Sequence, residues 1–168
     1  NLDEIKEVLS IINQRAYLDL LFETPESLNL IDVFPKESIR KIHFGINDLS
    51  LAFSLNPMFK CLFSNELEIA TKKAFQRGVD FGIGGIGAKG SKPYSPELIL
   101  SKIIKMKSSR VILSRSFLKE IDLQNSLLAK KSAHKKISEL INLQNALKKL
   151  DESQIEININ ELKNQIKI

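Results

Sequence analysis

Two carboxylates raise the first chemical question. Glu23 closes the short apolar run Tyr17-Leu-Asp-Leu-Leu-Phe-Glu23, and Asp48 lies just past the run Lys41-Ile-His-Phe-Gly45. They stand 48 − 23 = 25 residues apart, about one strand–helix unit. Adjacent parallel strands lie roughly 4.8 Å apart, so acids at neighbouring strand ends can converge on one point. Hard oxygen ligands that leave positions open suit Mg2+ or Mn2+, with water and substrate completing the shell. The same acids can instead cap the helices that follow them. Spacing alone leaves both readings open.

A second candidate is the glycine-rich stretch holding Gly82, Gly84, Gly85, Gly87 and Gly90, with Lys89 and Lys92 nearby. Such loops can cradle a phosphate or the phosphates of a CoA, which makes Gly84, Gly85, Gly87 and Arg115 possible anion contacts. The alternative is a tight turn that needs φ > 0. Arg115 alternates with Ser114 and Ser116, so a structural ion pair is equally open to it. His43 sits mid-strand and reads as a packed, hydrogen-bonded histidine. His134 reads as a surface residue, and Cys61, among Met58, Phe59, Leu62 and Phe63, as a buried thiol.

These residues need elements to hold them. Residues 2–14 form an amphipathic helix, with Leu2, Ile5, Val8, Leu9 and Ile12 on one face. A strand ending at Glu23 follows, then Thr24-Pro25 opens a helix near residues 26–34. Residues 41–45 read as a strand and residues 46–50 as a loop. A helix over 65–78 closes at Gly78, a strand over 81–87 runs into the glycine loop, and Pro96 opens a helix to 107. Residues 110–117 read as a fourth strand. Strands alternating with helices indicate parallel βαβ units. Chemistry-bearing residues gather at the strand C-terminal ends, the active rim of a β/α-barrel and the ligand edge of an open doubly wound sheet. The division reads as 1–119 for this unit and 120–168 for a helical extension, with helices over 122–150 and 154–167.

The bulk properties bound the rest. Hydrophobic content is 43% and charged content 27%, which fits a folded globular chain. No apolar run nears the roughly 18–20 residues of a membrane span. The net charge of +5 comes without aromatic-interleaved basic stripes, so we expect no nucleic-acid partner and no membrane. A single cysteine fits a reducing cytoplasm. The chain opens on a helix cap, Asn1 with Glu4 behind it, and fits a piece of something longer.

Four segments then resemble one family. Leu21-Phe-Glu23-Thr-Pro-Glu-Ser-Leu28 and Phe44-Gly-Ile-Asn-Asp48-Leu-Ser50 resemble the "IET-x-x-A" and "G-P-x-D-L-S" segments of the HpcH/HpaI aldolase/citrate lyase family, within the pyruvate kinase-like barrel superfamily. Residues 45–49, 81–86 and 112–117 look like the "GLNDL", "FGFGGIA" and "ILSRSF" segments of aldolase-like proteins from bacterial polysaccharide clusters. The likeness spans about residues 5–117. It implies that Glu23 and Asp48 ligate Mg2+ or Mn2+, and that the chain is the C-terminal half, strands five to eight, of a TIM (β/α)8 barrel with a helical tail. It implies a carbon–carbon lyase or aldolase acting on a small 2-keto acid or acyl substrate through a metal-stabilised enolate. Backbone N–H groups of Gly45, Ile46, Asn47 and Asp48 would hold the substrate carboxylate.

It also places the substrate arginine and the proton-transfer histidine in a missing N-terminal half barrel, the expected partner. Self-association through the C-terminal helices is expected too. Two departures stand out: Ile46 replaces the family's proline, and Leu21 replaces a glutamine common in pyruvate aldolases. Two other functions compete, a non-catalytic half-barrel interaction module and phosphoryl transfer on phosphoenolpyruvate.

Overall fold

Glycine, proline and short polar side chains punctuate this chain, and its elements begin and end on them. The computed structural model describes residues 1–118 and 126–168. Among these the order is α1 (Leu2–Ile12), β1 (Leu18–Phe22), α2 (Pro25–Leu28), β2 (Ile39–Gly45), α3 (Ile46–Ala52), α4 (Asn65–Gln76), β3 (Phe81–Gly84), α5 (Pro96–Lys105), α6 (Ser126–Leu147) and α7 (Glu152–Ile166). The chain divides into two compact units, Asn1–Gly84 with Met106–Val111 and Gly85–Lys105 with Ile112–Ile168.

The first unit is built on a parallel sheet in the order β1-β2-β3. Alternation along its strands gives two unlike faces. One carries Phe22, Ile42, Phe44, Phe81 and Ile83, all buried. Phe22 meets Phe44 edge-to-face at 5.7 Å, Phe44 meets Phe81 at 5.8 Å, and Phe22 meets Phe34 at 6.1 Å. Burying each such ring contributes about 1.5–3 kcal/mol, and each edge-to-face pair about 0.5–1.5 kcal/mol more. Arg77 ties down the same layer, its guanidinium 4.6 Å from the Phe34 ring while Nη2 donates to the Phe34 carbonyl at 3.0 Å. Local chemistry sets the helix ends. Asn1 caps α1 by accepting from the Glu4 N–H at 3.0 Å, Ser64 caps α4 by accepting from Leu67, and Gly78 leaves α4 at φ +65°.

Three expectations from the sequence are corrected here. The chain does not form half of a (β/α)8 barrel: its strands make an open three-stranded sheet. The expected fourth strand is reduced to two isolated bridges, Gly82 to Arg110 and Ile86 to Leu113, followed by a 3-10 turn over Arg115–Leu118. The segment still bonds the β3 side through its backbone, Ile83 N–H to the Arg110 carbonyl at 3.2 Å and Ile86 N–H to the Ile112 carbonyl at 2.8 Å, but the two bridges do not join into a ladder. The Phe81 carbonyl accepts from the Ser109 N–H at 3.0 Å, and from the hydroxyls of Ser109 at 3.0 Å and Ser108 at 3.3 Å. Gly82, Gly84, Gly85 and Gly87 also bring no side chains to pack against a further strand. The third correction is residues 46–50, which are helical. Ile46 and Leu49 are buried on one face of α3, and that burial outweighs the turn-forming tendency of Asn47 and Asp48.

The second unit is helical. Helix α5 packs on α6 and α7 through Leu98, Ile99, Ile103, Leu140, Leu147, Ile155, Ile159 and Leu162. Asn158 Nδ2 donates to Ser101 Oγ at 3.0 Å, and Lys105 Nζ reaches Glu152 at 2.6 Å and Glu156 at 2.8 Å. Residues 122–125 of the expected tail helix lie outside the described residues. Among the described residues no helix is long and apolar enough to cross a membrane.

Candidate functional site

The second face of the sheet is polar, and the strand register sorts it into rows. Asp19 faces Lys41, Leu21 faces His43, and His43 faces Gly82. Glu23 follows the end of β1, and Gly45 faces Gly84 at the C-terminal edge. A parallel sheet normally buries both faces under apolar side chains. Here one face holds acids, bases and glycines instead.

Glu23 lies across Gly45. A β-carbon built on Gly45 would stand 2.7 Å from both Cγ and Oε1 of Glu23. Only glycine leaves room for the carboxylate to lie flat on the neighbouring strand. Asp48 sits in the first turn of α3, which starts directly after Gly45. The capping alternative fails for both acids. Thr24 is the N-cap of α2, its Oγ1 accepting from the Ser27 N–H at 3.2 Å, and Gly45 is the N-cap of α3. Among the described residues neither carboxylate has an ion-pair or hydrogen-bond partner. Glu23 is half-buried and Asp48 exposed, as is Asn47, while Ile46 turns into the core. Among the described residues no group of three or more His, Cys, Asp or Glu is gathered that could hold a metal ion. This pair therefore offers two hard oxygen donors at most. Carboxylate oxygens of this kind suit a cation such as Mg2+ only where waters or a substrate supply most of its shell.

One row back, His43 packs over Gly82 as Glu23 does over Gly45. A β-carbon on Gly82 would lie 2.5 Å from both His43 Nδ1 and Arg110 Cγ. His43 is 9% exposed and its Nε2 is buried with no hydrogen-bond partner among the described residues. Burial first, and then the Arg110 guanidinium, pushes its pKa down to about 4, so the ring is neutral at pH 7. The sequence reading of a satisfied histidine misses this orphan nitrogen, which only the strand register could expose. Arg110 itself is paired with Asp80.

Two polar partners close the N-terminal row. Arg40 grips Asp19 with Nε at 3.0 Å and Nη2 at 2.8 Å, and its hydrogen bonds hold the Asp19 carboxyl below the usual carboxylate range. Gly84 belongs to the first unit, whereas Gly85, Gly87 and exposed Arg115 belong to the second. Gly85 packs closely, and a β-carbon there would stand 3.1 Å from the Ile112 carbonyl. Cys61 is fully buried, and burial pushes its thiol up to about 11. His134 is exposed.

No known family matches the chain, and neither does any curated protein or solved structure.

Proposed function

We propose that the chain carries the cation-binding carboxylates of a carbon–carbon lyase or aldolase acting on a pyruvate-like 2-keto acid. The observation that carries this reading is Glu23 laid over Gly45 with its carboxylate free of partners among the described residues. Glu23 and Asp48 would hold Mg2+ or Mn2+. A bound cation polarises the keto and carboxylate oxygens of such a substrate as a Lewis acid. Among the described residues no side chain caps α3, and N–H groups of Ile46, Asn47 and Asp48 would hold the substrate carboxylate. The segments resembling the HpcH/HpaI family support the same reading. A cytoplasmic setting fits the single buried thiol.

Titration calorimetry with Mg2+ and Mn2+ tests the proposal. Glu23→Gln with Asp48→Asn is expected to weaken binding at least about tenfold, a difference of about 1.4 kcal/mol. Gly45→Ala, which drives Glu23 off the strand, is expected to weaken it in the same direction. Unchanged affinity in the double variant overturns the reading.

A binding-module reading has its own support in α6, where Leu127, Leu128, Ile137 and Ile141 are exposed. The partner it favours is a second copy of the chain, which sedimentation velocity would reveal as a dimer.

A further inference from the structure

We propose that two copies of the chain join through unlike helix faces, α1 of one copy lying on α6 of the other. This rests on the reading of α6 as the face that takes a second copy.

Helix α6 presents one exposed face. Leu127, Lys130, Lys131, His134, Ile137 and Ile141 follow at helical spacing, and all six are exposed. Among the described residues the helix buries only Leu140 and Leu147, so its stretch from Ser126 to Glu139 has no packed side. A helical stretch of that kind is marginal in water on its own. The charge of the exposed face has one sign. Glu139, the one acid of α6, lies about 120° round the helix from Leu127. Two α6 faces laid together would set lysine against lysine, so the counterpart must be acidic.

Helix α1 carries such a counterpart. Glu4, Glu7, Val8 and Ile11 share one face at i, i+3, i+4 and i+7, and all are exposed. Glu4 meets the Asn1 amino group at 2.6 Å and stays exposed, while Lys6 lies on the other side of the helix beside Asp3 at 3.7 Å. Both faces run from charge to carbon along the chain. In α1 the acids precede Val8 and Ile11, and in α6 the bases precede Ile137 and Ile141. Laid parallel, acid meets base and apolar side chain meets apolar side chain. The 11 residues of α1 span about 16 Å, which matches the stretch from Lys130 to Ile141. Formed twice about a twofold axis, the contact closes a dimer. Apolar and basic residues are interleaved on one face of α6 rather than divided between two. That pattern suits a helix of matching charge better than a lipid layer.

The test is sedimentation velocity of the full chain and its charge-swapped variants. The unmodified chain is expected to form a dimer that weakens as NaCl rises from about 0.05 M to about 0.5 M. Lys130→Glu with Lys131→Glu, and separately Glu4→Lys with Glu7→Lys, are each expected to weaken it at least about tenfold. Glu4 also closes the cap of α1, so Glu7→Lys alone is the second variant on that side, with a loss of about threefold or more expected. An equimolar mixture of the two charge-swapped chains is expected to dimerise again, because both contacts then join opposite charges. A dimer indifferent to the swaps overturns the pairing of α1 with α6 and leaves the second-copy reading standing. So does a mixture that stays monomeric while circular dichroism shows both chains folded. A monomeric unmodified chain overturns both readings. Binding of that monomer to vesicles of equal parts phosphatidylcholine and phosphatidylglycerol would then assign the basic face to a lipid surface.

Discussion

The two faces of one three-stranded sheet differ in what their residues do. On one face Phe22, Phe44 and Phe81 interlock edge-to-face and take no part in chemistry. On the other, Glu23 and His43 each lie across a glycine of the next strand. The strands and their backbone hydrogen bonds are shared, so alternation alone separates an apolar packed face from a polar one. Removing a ring from the first face should cost stability, whereas filling a glycine on the second should mostly displace the side chain that lies across it.

Three experiments can break or sharpen that contrast. The largest effect is expected from Phe44→Ala, which empties a side chain that is 0% exposed. It should cost about 3–5 kcal/mol in urea unfolding without altering Mg2+ affinity in whatever fraction stays folded. A loss of under about 1 kcal/mol would mean that the aromatic ladder does not hold the unit.

The second effect is pH-dependent and belongs to His43. Its folded pKa of about 4 lies below the ordinary value of 6.5. The unfolded state therefore binds the proton more readily. Stability tied to neutral His43 is full above about pH 6.5 and is lost as pH falls through that value towards about 4. The loss should be on the order of 2 kcal/mol between pH 7 and pH 4. His43→Gln should remove that part of the slope, and an unchanged pH profile would show that the imidazole is not held neutral by burial.

The smallest expected effect is Gly82→Ala. The added carbon meets His43 Nδ1 and Arg110 Cγ at 2.5 Å, so both the buried ring and the base of the Arg110 side chain must shift. About 1–2 kcal/mol is expected, with the His43 NMR titration moving up towards its ordinary range. An immobile His43 titration would show that Gly82 does not position the ring.

Much of this arrangement is legible in the sequence. The helix starts are, because Asn1, Thr24-Pro25 and Ser64 are strong caps and each caps a helix. So is the βα alternation through β3. The fourth strand misleads because Arg110-Val-Ile-Leu has strand composition, while the segment meets its neighbour only at two isolated bridges, which composition cannot show. Helix α3 is missed because Gly45, Asn47 and Asp48 favour turns, and the burial of Ile46 and Leu49 becomes visible only in three dimensions. At the site, Glu23 and Asp48 can be picked out by type and spacing. The glycine beneath Glu23 and the orphan nitrogen of His43 cannot, because both depend on which residue of one strand faces which residue of the next.

The overlap of Glu23 and Gly45 also limits how this chain can change. Position 45 tolerates a larger residue only after position 23 has become smaller or moved aside, because a β-carbon there is 2.7 Å from Glu23 Cγ. The order of substitution therefore matters. Losing Glu23 first frees position 45 to drift, whereas changing Gly45 first displaces the acid before any replacement exists. The two positions should be strongly non-additive in a double-mutant cycle. A descendant that has lost the acid would then reach it again only by first restoring the glycine.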